Sequence, residues 1–269
     1  MDKDIGHYTT LDTVNFLIKD EQRIHDSHDS EKDNYPYMRL TNINQLNDPL
    51  EGKVLSQYLG INSTHISHSY VSCATTAEDS LPMWNLYSDN AEGIFMVYDK
   101  KFLESTIDDD YIDFYHVCYV DENSGSFIVS SIKNSEKICG NIKGELDKIK
   151  KSYEKIQKNK DNEKIKKQAE QLIENIFFLF KKIEYSYEEE LRFYISARVD
   201  RIELVEEKGA LFPRLYTKYK KTKLKYSKLI LGPKEKIKLD DISPYIDYIN
   251  DRNRYKKRID VQMSKRHFR

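Results

Sequence analysis

Apolar residues recur along this chain with two different periods, and the change between them organises it. In Tyr187-Glu188-Glu189-Glu190-Leu191-Arg192-Phe193-Tyr194-Ile195 aromatic and branched residues fall at every second position from Leu191 to Ile195, the mark of a strand. Period two puts Leu191, Phe193 and Ile195 on one face and Glu188, Glu190, Arg192 and Tyr194 on the other, a packed element presenting charge to a cleft. Shorter runs predict further strands at residues 5–10, 37–40, 69–74, 93–98, 111–120, 202–205 and 227–231. Helices are predicted from Leu11 to Ile18, with Thr10 or Asp12 as cap, from Glu78 to Tyr87, and around Leu239 to Asn250.

Residues 138–184 carry the other period. Ile138, Ile142, Leu146, Ile149, Tyr153 and Ile156 are spaced by three and four, as on an amphipathic helix. Asn159-Lys160-Asp161-Asn162 interrupts them, and Ile165, Ala169, Leu172, Ile173, Ile176, Phe177, Phe180 and Ile183 define a second helix. The pattern predicts an αα-hairpin inserted into, or packed beside, an α+β domain. The expected architecture is thus a single α+β domain over residues 1–269 with a mixed or antiparallel sheet core. The hairpin occupies 138–184 and a basic C-terminal tail occupies 252–269.

Composition narrows the class. With 39% hydrophobic and 33% charged residues, the chain reads as globular and soluble, and no stretch approaches the eighteen apolar residues of a transmembrane helix. Met1-Asp2-Lys3-Asp4 lacks the apolar core of a secretory signal. Cys73, Cys118 and Cys139 form no C-x-x-C pair, so free thiols in a reducing cytoplasm are expected. The net charge of −1 conceals a polarity: residues 1–130 hold 8 Lys/Arg against 23 Asp/Glu, and residues 131–269 hold 36 against 22. The two halves either compensate one another, within one fold or across subunits, or the basic half meets an anion such as a nucleic acid or a dinucleotide.

Four constellations bear chemistry. His7-Tyr8-Thr9 lies on the first strand, where histidine serves a structural hydrogen bond or a ribose hydroxyl. Asn47-Asp48-Pro49-Leu50-Glu51 is a turn in which Glu51 exceeds what the turn needs. Ser72-Cys73-Ala74-Thr75 precedes Met83-Trp84-Asn85-Leu86-Tyr87, where Trp84 reads as core and Tyr87 as core or a stacking platform for a planar heterocycle. Glu188, Glu190 and Arg192 are the fourth, either a structural ion-pair ladder or a carboxylate pair for a cationic transition state. No metal is expected: His25/His28 and His65/His68 lack companion ligands. Nucleotide-cradling glycine motifs are absent from the sequence.

In order, these constellations resemble a bacterial family, domain of unknown function 2971. Its early aromatic strand, Asn-Asp-Pro-x-Glu turn, Met-Trp-x-x-Tyr segment followed by Gly, Glu-x-Glu-x-Arg strand and Ile-Leu-Gly turn correspond to His7 to Thr9, Asn47 to Glu51, Met83 to Tyr87 with Gly93, Glu188 to Arg192, and Leu229 to Gly232. The hairpin and tail look like additions. The order of His, then Ser or Tyr, then a late Glu is also similar to ADP-ribosyltransferases, which use NAD as substrate. That resemblance implies an ADP-ribosyltransferase-like fold. It implies that His7, beside Tyr8, holds the adenosine ribose and that Tyr87 stacks on nicotinamide, or that Ser72 supports the site. Glu190 would bond the nicotinamide ribose and Glu188 would orient the acceptor, with Arg192 the ion-pair anchor. Ser72-Cys73-Ala74 departs from the Ser-Thr-Ser pattern. The implied function is a cytoplasmic ADP-ribosyltransferase or NAD-glycohydrolase-like effector, a toxin or antiphage protein, acting on a protein or nucleic-acid acceptor without a membrane. The alternatives are a non-catalytic module that binds a nucleotide or nucleic acid, or an interaction protein that forms homo-oligomers through the hairpin.

Overall fold

The computed structural model describes residues 3–21, 36–46, 53–61, 68–129, 135–158, 163–206, 211–234 and 238–267. The Asn47–Glu51 turn, the 25–34 loop, His25, His28, His65 and the 159–162 break lie outside them. The chain forms two compact units, one of residues 1–39, 74–112 and 218–269 and the other of residues 40–73 and 113–217. Both mix helices with mainly antiparallel strands.

The first unit is built on β1 (Gly6–Thr9), β4 (Ile94–Tyr98), β12 (Tyr226–Leu231) and β13 (Asp260–Met263). β1 and β12 flank β4 antiparallel, from Gly6 opposite Val97 to Thr9 opposite Ile94 on one side and from Tyr226 to Leu231 on the other. All five residues of β4 are buried, which is why its sequence is continuously apolar rather than alternating. Glycine is required where backbones meet. A Cβ on Gly6 would lie 2.5 Å from the Phe95 ring, and one on Gly93 would lie 2.3 Å from the Thr9 carbonyl oxygen. The helices are α1 (Leu11–Leu17), α3 (Leu81–Tyr87), α4 (Lys100–Ile107) and α7 (Leu239–Arg252), and α7 buries Ile242, Ile246 and Ile249 at helical spacing. The basic tail is structured over its described residues, 252–267. β13 pairs in parallel with β12, and Arg258 bridges Asp247 and Asp251 at 2.9 and 2.6 Å.

In the second unit, β9 (Glu190–Ser196) lies between β3 (Ser69–Thr75) and β5 (Asp113–His116). β2 (Tyr37–Asn42) pairs with β3, and β10 (Glu203–Val205) pairs with β11 (Arg214–Lys223). A three-stranded sheet holds β6 (Cys118–Asp121) between β7 (Ser126–Val129) and β8 (Phe180–Lys182). The helices α2 (Val54–Leu59), α5 (Ser135–Lys158) and α6 (Glu163–Glu174) supply Leu55, Leu59, Leu146, Tyr153 and Ile173 to its apolar core.

The structure corrects three expectations. The 111–120 strand is two strands broken at Val117, whose N–H donates to the Glu190 carbonyl at 3.0 Å; the break sends β5 and β6 into different sheets. The second hairpin helix ends at Glu174 rather than reaching Ile183. Its apolar sequel contains Phe177, Phe178 and Phe180, all buried, so it cannot remain a one-sided helix. It becomes a 3-10 turn and then β8, which gains ladder bonds to β6. Glu188 is not on β9: it ends the 3-10 stretch Ile183–Glu188, and Glu189 follows in the left-handed region at φ 43°. That single residue resets the alternation.

Candidate functional site

β9 positions the first two charges. Glu190 opens the strand and Arg192 follows on the same face, as period two demands. Arg192 Nε and Nη2 donate to the Glu190 Oε1 and Oε2 at 2.9 and 3.0 Å, the bidentate fit of a planar guanidinium to a carboxylate. Its Nη1 donates to the Phe178 carbonyl at 2.5 Å. Lys181, on β8, donates through Nζ to Glu188 Oε2 at 2.6 Å and to Glu190 Oε2 at 3.3 Å. The same ammonium lies 4.7 Å from the centre of the Tyr185 ring, within cation–π range. The Tyr119 hydroxyl accepts from the Glu190 N–H at 2.8 Å.

Two carboxylates and two cations make this set neutral, which is what burial requires. Arg192 is 0% exposed and Glu188, Lys181 and Glu190 are 2%, 5% and 6% exposed. The charged face expected on an open cleft is therefore enclosed. Phe178 contributes to the enclosure, stacking on Tyr194 at 4.1 Å. Burial pushes the Glu190 carboxyl up, but the charges of Arg192 and Lys181, with hydrogen bonds from Arg192 and Cys73, prevail and hold it well below the ordinary glutamate value. Burial, then the nearby Glu190 charge, pushes the Tyr119 phenol up, so it stays protonated.

Ser72 does not share this face. Cys73 bonds to Glu190 and the Ser69 hydroxyl lies 3.4 Å from that of Tyr194. Residues 69, 71 and 73 of β3 therefore look the way Glu190, Arg192 and Tyr194 look, and alternation turns Ser72 to the opposite side.

His7, Tyr8 and Tyr87 belong to the first unit, whereas Ser72, Glu188, Glu190 and Arg192 belong to the second. His7 is half-buried on β1 opposite Met96. Tyr8 is a strut: its hydroxyl donates to the Ala77 carbonyl at 2.7 Å and accepts from the Ser80 N–H at 2.9 Å, and its ring meets Trp84 edge-on at 4.8 Å. Trp84 is fully buried, with Nε1 donating to Asp79 at 2.8 Å, as the core reading requires. Tyr87, the last residue of α3, is half-exposed. Among the described residues, no three His, Cys, Asp or Glu side chains gather to hold a metal ion.

The sequence reading missed Lys181, Tyr185 and Tyr119. Lys181 falls where a helix period seemed to run on, and only a strand at 180–182 turns it toward the carboxylates, while Tyr185 lies between the expected hairpin and the expected strand. Tyr119 sits in the second half of what read as one strand.

Fold and site together define a mixed α+β protein whose second unit encloses a neutral four-residue charge network. The family model of DUF2971, described as a protein of unknown function, matches residues 83–193. That stretch includes Tyr87, the helical hairpin and the whole network from Lys181 to Arg192, and it leaves His7, Ser72 and Leu229 to Gly232 outside. No curated protein and no solved structure matches the chain. Among the described residues no helix is long and apolar enough to cross a membrane.

Proposed function

We propose that the protein cleaves the nicotinamide–ribose bond of NAD or a related nucleotide, as an ADP-ribosyltransferase or NAD glycohydrolase. The observation that carries this reading is the pair Glu188 and Glu190, buried together and ion-paired with Lys181 and Arg192. Cleavage sends the bonding electron pair to the nicotinamide nitrogen, which becomes neutral, and leaves oxocarbenium charge on the ribose carbon. A fixed carboxylate stabilises that charge. Water or an acceptor then adds to the carbon and gives up its proton to solvent. Glu190 is the stabilising group and Glu188 orients the acceptor. NAD depletion of this kind suits a toxin or antiphage effector.

A second reading is favoured by one fact: both Glu190 oxygens already accept from Arg192. On that reading the network is purely structural and the protein is a nucleotide-binding module without turnover. Nicotinamide release from NAD decides between them. The enzyme reading expects release by the wild type and a loss of at least about a hundredfold in Glu190→Gln and Glu188→Gln variants whose circular dichroism is unchanged, a typical scale for losing one electrostatic stabiliser. NAD binding with no release sinks it.

A further inference from the structure

Lys181 does more than neutralise a buried carboxylate, because its ammonium also faces an aromatic ring. Arg192 holds both oxygens of Glu190 in bidentate fashion, with Nε and Nη2 at 2.9 and 3.0 Å. Lys181 reaches Glu190 as well, at 3.3 Å. The ammonium contacts Glu188 at 2.6 Å, Glu190, and the Tyr185 ring at 4.7 Å. Two carboxylates beside one aromatic face are the elements that recognise an organic cation, because the oxygens supply charge and the ring supplies a polarisable surface. Tyr185 is half-exposed, which gives the enclosed carboxylates one wall at the surface. Its 3-10 turn ends at Glu188, and Glu189 follows at φ 43°. A left-handed residue with a side chain is the kind of local strain that gathers at binding sites.

We propose that Glu188, Glu190 and Tyr185 form a recognition box for an organic cation of the pyridinium or alkylammonium class, and that Lys181 is its built-in plug. The plug explains how two glutamates stay enclosed without ligand: the lysine provides the positive charge that the ligand provides in its place. A ligand must therefore displace an intramolecular competitor, and its apparent affinity is reduced accordingly. The pyridinium choice rests on the nicotinamide reading above, and on that reading Tyr185, in the same unit as the glutamates, is the ring that meets nicotinamide. The alkylammonium class needs no such support.

Chemical rescue tests the plug. Lys181→Ala leaves two enclosed carboxylates opposite one guanidinium, so its unfolding midpoint is expected to fall by several degrees. Methylammonium or 1-methylnicotinamide is expected to restore at least half of that loss, while neutral nicotinamide restores none and the wild type gains little from either cation. Failure of both cations to restore the midpoint overturns the proposal. If Lys181→Ala does not fold, Lys181→Gln, which keeps most of the reach without the charge, is expected to bind 1-methylnicotinamide at least tenfold more tightly than wild type by titration calorimetry. Equal affinity overturns the proposal. Restoration or tightening in a protein that releases no nicotinamide from NAD leaves the box standing and sinks the cleavage reading. Nicotinamide release with neither effect does the reverse.

Discussion

Tyr8 in the first unit and Arg192 in the second are both buried polar groups fastened to backbone carbonyls, yet they are satisfied in opposite ways. The Tyr8 hydroxyl needs only neutral partners, the Ala77 carbonyl and the Ser80 N–H. Two backbone groups complete it, and burial, the leading influence, keeps the phenol protonated. Arg192 has a backbone partner too, the Phe178 carbonyl, but a guanidinium cannot be enclosed on hydrogen bonds alone. It needs Glu190, and with Glu188 also enclosed the set needs Lys181. A buried dipole is a local matter, while a buried charge recruits a network.

That contrast is broken most directly at Arg192. Arg192→Leu strands Glu190 without its bidentate partner, and the expected cost is about 3–5 kcal/mol by denaturant unfolding, the scale for removing one member of a buried pair. Replacing Glu190 and Arg192 together by leucine is expected to cost much less. A single and a double variant of equal cost would show that packing, and not charge pairing, governs the site.

Acid is the next lever. The folded Glu190 carboxyl titrates below its ordinary value of 4.5, so the stability it contributes is fully present above 4.5. That stability is lost as pH falls from 4.5 through the lower folded value. Wild type is expected to lose stability steeply in that window and Glu190→Gln less steeply, with the difference read from unfolding midpoints at stepped pH. Parallel slopes would mean that other carboxylates carry the acid sensitivity.

Tyr8→Phe removes one hydroxyl and leaves the Ser80 N–H and the Ala77 carbonyl to find other partners. The expected cost is about 1–3 kcal/mol, well below that of Arg192→Leu, with the emission of Trp84, the only tryptophan, reporting the change next to it. An effect as large as that of Arg192→Leu would erase the distinction between a buried dipole and a buried charge. The smallest change is expected at Arg258, whose bridges to Asp247 and Asp251 are exposed on both sides. Arg258→Ala should leave the unfolding midpoint within measurement scatter, because solvent screens such pairs. A clear drop would show that the tail anchors more than its own helix.

Much of this was legible before the structure. β1, β4, β9 and β12 follow from branched and aromatic runs. The hairpin follows from three-and-four spacing, and the core position of Trp84 from its place on an apolar helix face. Arg192 reads as an ion-pair anchor from its place two residues after Glu190. What misled was continuity: a period read from one segment was carried through Val117, Glu174 and Glu189, where the chain changes state. At Val117 and Glu174 the cause is tertiary, since pairing partners far along the chain reward a break that local propensity does not reveal. At Glu189 it is one backbone rotation into the left-handed region, with no glycine to announce it.

The sequence by itself determined which residues alternate, which carry charge, and that Glu190 and Arg192 share a face, because strand geometry follows from local stereochemistry. Only the tertiary structure decided that this face is enclosed, that Ser72 turns away from it, and that Lys181 and Tyr185 complete it. Enclosure depends on what β8 and the 3-10 turn place over the strand, and the need to neutralise a buried charge is met by whichever side chain the fold brings within about 3 Å, the reach of a charge-assisted hydrogen bond.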